Sequence, residues 1–178
     1  MIHYQIKMSY YSNHYKKLNY EWRIMDKTIT ESILESASTV LSQMVGMNFK
    51  TGEITYEKTP FNGQNLLILV GITGRIHGNA VISFSNSLAC KFAGTMMMMP
   101  DITEIDDFAQ SAICELCNMI MGNTATALSQ RSVIIDITPP TVLTGQNLEV
   151  HVEQTKNINI PLIFDGNDVL NITVSYKE

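Results

Sequence analysis

Ser111, Glu115, Asn118 and Gly122 are spaced four, three and four residues apart. On a helix of about 3.6 residues per turn, roughly 100° per residue, that spacing stacks them in one row within an arc of roughly 60°. The neighbouring residues predict such a helix from about Ile105 into the 120s. Phe108, Ala109, Ala112, Ile113, Leu116, Met119 and Ile120 fall within a separate, adjoining arc of roughly 140°, the stripe that an amphipathic helix buries. Asparagine is a mediocre helix former, so its place in mid-helix needs a reason. A carboxamide is no base, but its oxygen accepts a hydrogen bond from water and can hold that water in line with a phosphorus atom. Phosphoryl transfer depends on positioning and charge stabilisation, so an orienting amide can supply much of the rate. A carboxylate one turn away can pair with a lysine of a partner and fix the register of docking. On composition alone the same residues suit an ordinary solvated helix face better.

Cys114 and Cys117 form a Cys-x-x-Cys pair on this helix. Zinc takes about four ligands, no second cysteine pair exists, and His3, His14, His77 and His151 are scattered. A thioredoxin-type pair follows a strand at a helix N-terminus and does not lie mid-helix. The expectation is therefore two small, half-buried residues, with no metal and no cofactor bound by this chain. The glycines from Gly71 to Gly78 are not followed by Lys-Ser, Lys-Thr or a helix start, so they read as a hairpin and not as a phosphate cradle. Met96 to Met99 read as core and connector.

The row of polar residues needs elements to hold it. Thr28 with Glu31 three residues on has the form of a capping box, and Ile33, Ala37, Val40, Leu41 and Met44 recur at helical spacing until Gly46. Together they predict a helix over about 29–45. Strand-like runs follow at 48–58, 66–70 and 76–84, with Gly74-Arg75 joining the last two. A short helix over about 86–98 begins near Ser85 or Asn86 and is halted by Pro100. After the long helix, strands are expected at about 132–138, 147–154, 157–164 and 168–176, with Asp165-Gly166-Asn167 as a hairpin turn. Pro139-Pro140 separates the first of these from the rest. Strands in runs favour an α+β fold, a mostly antiparallel sheet with two long helices packed on it, over a doubly wound parallel sheet. The order helix, strands, short helix, helix, strands suggests two related halves.

A chain of 178 residues with 45% hydrophobic content can bury one substantial core. Residues 1–24 hold five of the seven tyrosines and four basic residues against Glu21 alone, without a sustained period. They are set apart as an N-terminal extension outside the fold, leaving 25–178 as a single domain. Beyond residue 24 stand 8 Lys and Arg against 16 Asp and Glu, a balance that repels nucleic acid. No apolar run reaches the roughly 18 residues of a membrane span, and no secretory signal is evident. Three cysteines form no disulfide framework. A cytoplasmic protein is expected.

Ile105 to Asn123, with its Ser111-x-x-x-Glu115-x-x-Asn118 core, and the later Ile137-Thr-Pro-Pro-Thr-Val-Leu-Thr-Gly145 together resemble the CheC/CheX/FliY family of chemotaxis phosphatases, CheX-like members most closely. The likeness in element order extends over about 26–176. It implies a pseudo-repeated α+β fold and hydrolysis of the aspartyl phosphate of a CheY-like response regulator. In that family the asparagine orients the attacking water and the glutamate contacts a receiver lysine, which assigns Asn118 and Glu115 those roles, with Ser111 and Pro140 supporting. The Mg²⁺ belongs to the partner receiver domain. Some relatives carry a second Glu–Asn pair on the first long helix. Here Glu35 is followed by Ser38, which lacks the amide, so one site per chain is expected. The resemblance also implies a homodimer. A non-catalytic module that docks a receiver or a flagellar switch component is the alternative.

Overall fold

The computed structural model describes residues 2–56, 61–62, 66–99, 101–145, 148–150 and 156–177; at 2–23, 61–62, 149–150 and 167 it describes the backbone alone. In chain order the elements are α1 (Ile2–Val45), β1 (Lys50–Thr51), β2 (Phe61–Asn62), β3 (Leu66–Gly74), β4 (His77–Phe84), α2 (Asn86–Met96), α3 (Asp107–Gln130), β5 (Ile135–Ile137), β6 (Thr141–Thr144), β7 (Glu149–Val150), β8 (Lys156–Ile163) and β9 (Val169–Lys177). All strand pairs are antiparallel. The main sheet runs β1-β8-β9-β4-β3-β5, with β6 also on β3, while β2 and β7 pair separately. The α+β class expected from the sequence is the class observed.

That strand order reads the same from either end. The β3–β4 hairpin of the first half lies beside the β8–β9 hairpin of the second. Each half lends its leading strand to the other: β1 pairs with β8, and β5 and β6 pair with β3. Tight turns make the hairpins possible. Gly74 has φ 112° between β3 and β4, and Gly166 has φ 83° in the turn before β9, conformations that disfavour side chains with a Cβ.

One face of the sheet carries the helices. Leu66, Ile68, Val70 and Ile72 alternate along β3 into a core shared with Ile33, Ala37, Val40 and Leu41 of α1, Leu88 and Phe92 of α2, and Ile113, Leu116 and Ile120 of α3. α2 starts as expected, with the Ser85 side chain accepting the Leu88 N–H at 3.1 Å. Met96 packs on the core, but Met98, at φ 57°, is exposed, so the methionine run is connector more than core.

Helix α1 does not start at Thr28. The chain runs helically through Thr28, and the hydroxyls beside it turn back onto the helix, Thr30 donating to the Asp26 carbonyl and Ser32 to the Thr28 carbonyl, both at 2.8 Å. The helix is anchored to the sheet by Asp26, which is buried and accepts a hydrogen bond from the Tyr176 hydroxyl at 2.5 Å, with Lys156 Nζ 3.6 Å from its other oxygen. Tyr176→Phe removes that donor from a buried carboxylate. It is expected to cost about 1.5–3 kcal/mol, read as a lower denaturant midpoint at unchanged slope.

The run 48–58 is not one strand. Lys50 and Thr51 pair with Ile163 and Leu162, whereas Thr55 lies opposite Asn159, one residue out of step. Of the 147–154 run, Glu149–Val150 form β7, while 147 and 151–155 lie outside the described residues, as does Pro100.

Candidate active site

The long helix begins where Asp106 caps it, its carboxylate accepting the Ala109 N–H at 2.8 Å. α3 buries Ala109, Ile113, Leu116, Cys117, Ile120, Met121, Thr124, Ala127 and Leu128. This stripe is turned relative to the expected one. Ala112 and Met119 are half-buried, and Phe108 is 77% exposed. Phe108 stands at the edge of the expected arc, in the first turn and in line with Glu115 two turns on, so a modest rotation of the stripe leaves it in solvent.

The turned helix presents its polar row to the edge of the sheet. An open groove of about 420 Å³ runs between α3 and β6, lined by Asp107, Gln110, Ser111, Cys114, Glu115, Asn118, Pro140 and Val142. Ser111, Glu115, Asn118 and Pro140, chosen from the sequence, therefore meet in one place. Glu115 is exposed and Asn118 half-buried, and among the described residues neither side chain is engaged by another. Ser111 is tied down, its hydroxyl donating to the Asp107 carbonyl at 2.8 Å.

Sequence reasoning missed Asp107, Gln110, Cys114 and Val142. The first three sit at helical spacing from Ser111 and Asn118, a signal that was available. Val142 was not visible in that way, because Pro139-Pro140 read as a separator. In the structure it begins a strand, β6, that rejoins β3 after one step out of register. Ile72 faces Ile137 in β5, yet Leu69 faces Thr141 in β6. Val70 and Gly71 thus oppose three residues, Thr138, Pro139 and Pro140, a β-bulge. The extra residue switches which side chains face the helices, and it is this switch that turns Pro140 and Val142 toward α3.

The groove is anionic. Asp107 and Glu115 line it and no cation does. A phosphoryl group entering it must bring its own positive charge. The thiols are poor nucleophiles here: burial pushes Cys117 well above its ordinary pKa, with Cys114 adding to the rise, and burial raises Cys114 as well. Among the described residues no three His, Cys, Asp or Glu side chains come together as a metal-binding group.

The equivalent place in the first half is occupied differently. Glu35 pairs with Arg131 beyond the end of α3 at 2.9 Å, and Arg131 also donates to the Ala127 carbonyl at 3.0 Å. Ser38 is exposed three residues on. The segment that pairs with β8 also steps out of register, between Thr51 and Thr55, but carries Gly52, Glu53 and Ile54 where the second half has Thr138, Pro139 and Pro140.

A family model described as chemotaxis phosphatase CheX matches residues 66–163. The chain belongs to the CheX family. The curated CheY-P phosphatase CheX of Thermotoga maritima is 34% identical over 129 residues, 71% of this chain and 81% of that protein. The fold matches the chemotaxis protein CheX of Desulfovibrio desulfuricans with a TM-score of 0.76 at 24% identity, over 84% of this chain and 99% of that one. It also matches a chain of the CheX–CheY–BeF3–Mg²⁺ complex of Borrelia burgdorferi with a TM-score of 0.71 at 22% identity, over 83% of this chain and 97% of that one. As in those CheX folds, the helices of this chain lie on an antiparallel sheet. No helix among the described residues is long and apolar enough to cross a membrane.

Proposed function

We propose that this chain is a phosphatase that hydrolyses the aspartyl phosphate of a response regulator, in chemotaxis or a related two-component pathway. The observation that carries this is the pairing of Glu115 with Asn118 in an open groove opposite Pro140, in a chain of the CheX family. The Asn118 amide holds the attacking water in line with the phosphorus. Glu115 receives a lysine of the receiver and sets the docking register, and Ser111 and Pro140 support the pair. An open, acidic groove suits a protein substrate that supplies its own cations better than it suits a free small phosphate ester. The Mg²⁺ of the reaction is held by the receiver, where it neutralises the phosphoryl oxygens.

One site operates per chain, because Glu35 is committed to Arg131 and Ser38 offers no amide. The working domain is 25–178, the family's homodimer belongs to the same proposal, and a receiver substrate places the reaction in the cytoplasm. The test is phosphate release from a phosphorylated CheY-type receiver in Mg²⁺, with and without the chain. Release several-fold faster than the receiver achieves alone is expected. Tight binding without acceleration, across several receivers, would leave a docking module in place of an enzyme.

A further inference from the structure

The groove wall opposite Asn118 is built from residues that cannot pair as a strand. Pro139 and Pro140 have no N–H to donate, and the bulge breaks the regular ladder, so β3 at Gly71 needs both a donor for its carbonyl and an acceptor for its N–H. It finds Thr138. The Thr138 N–H donates to the Gly71 carbonyl at 3.0 Å, and the Gly71 N–H donates to the Thr138 hydroxyl oxygen at 2.8 Å, where a regular ladder would offer a backbone carbonyl. The same hydroxyl donates onward to the Pro139 carbonyl at 3.3 Å. One side chain thus replaces the missing rung and ties the peptide that leads into Pro140.

Gly71 makes this possible. A Cβ there would come within 2.9 Å of Thr138 Cγ2 and 3.0 Å of Thr138 Oγ1, so only glycine lets the threonine lie over the strand. Thr138 is itself exposed and outside the core, so the fold does not need it for apolar packing.

Resting on the assignment of Asn118 as the residue that holds the water, we propose that Thr138 is a positioning residue of this site. Its hydroxyl clamps the bulge that sets Pro140 across the groove from Asn118, and so fixes the space in which water and phosphoryl group align. It touches neither of them. Its effect falls on the turnover step and spares docking through Glu115.

The decisive comparison is Thr138→Val, which keeps the shape and removes the hydroxyl, against Thr138→Ser, which keeps the hydroxyl. For each, kcat is measured with the phosphorylated receiver in Mg²⁺, binding with the beryllofluoride-activated receiver, and thermal midpoint by circular dichroism. A loosened wall should lower kcat of Thr138→Val by about 10-fold with binding changed less than about threefold. Thr138→Ser should return kcat to near the wild type, and Gly71→Ala, by displacing Thr138, should repeat the valine loss. The clamp is overturned if Thr138→Val turns over like wild type, if serine is as slow as valine, or if kcat and binding fall together. A wild type that does not accelerate release overturns the assignment of Asn118 as well, whereas an active wild type matched by Thr138→Val overturns the clamp alone.

Discussion

Asn118→Ala lowers kcat for release of receiver phosphate by about 100-fold or more, because the water is no longer held in line and phosphoryl transfer has little else to draw on from this chain. Docking is retained within a few-fold, since Glu115 and the rest of the groove are intact. Misfolding is a poor rival explanation. Asn118 is half-buried in the middle of α3 and no described residue engages its side chain, so none of them is orphaned. Alanine is moreover the better helix former by roughly 0.5 kcal/mol, which makes the variant at least as stable as the wild type. Asn118→Gln keeps the amide but moves it by one methylene, and it should also turn over slowly, separating correct placement from mere presence of a carboxamide. A kcat for Asn118→Ala within about twofold of wild type would sink the assignment.

How far the sequence leads to such a site depends on which forces act locally. The row on α3 is a matter of helical spacing alone, so Ser111, Glu115 and Asn118 could be placed together before any sheet was known. The β3–β4 and β8–β9 hairpins were equally plain, from glycine turns between apolar runs. Errors arose where tertiary contacts choose among locally acceptable options. Thr28 and Glu31 have the form of a helix start, but Thr30 and Ser32 satisfy their hydroxyls within the helix and the chain passes straight through. Phe108 looked like core because its residue type and wheel position allow it, yet the packing of α3 on α1 and the sheet selects a stripe that excludes it. The far wall of the groove was the least legible part. Two prolines in succession signal an interruption, and nothing local shows that a threonine hydroxyl and a distant glycine will bridge it and let β6 resume.

Glu115→Lys is expected to raise KM for the phosphorylated receiver by about 10-fold to 100-fold, the range for losing a charge-assisted contact at an interface and meeting a like charge instead. Turnover at saturation should fall much less, because Asn118 is untouched. Glu115 is exposed and makes no ion pair among the described residues, so the change removes nothing from the fold. Asp107 lines the same groove and keeps part of the attraction, which is why the neutral Glu115→Gln should be milder than the reversal. Ionic strength separates this role from a chemical one. Attraction between an acidic groove and a basic receiver surface is screened over about 8 Å at physiological salt, so wild-type KM should climb with added salt, whereas that of Glu115→Lys should climb less or even fall. If Glu115 acted instead on the reacting water, both substitutions would depress kcat at every salt concentration and leave KM unmoved, and the carboxylate would belong to the chemistry and not to the docking.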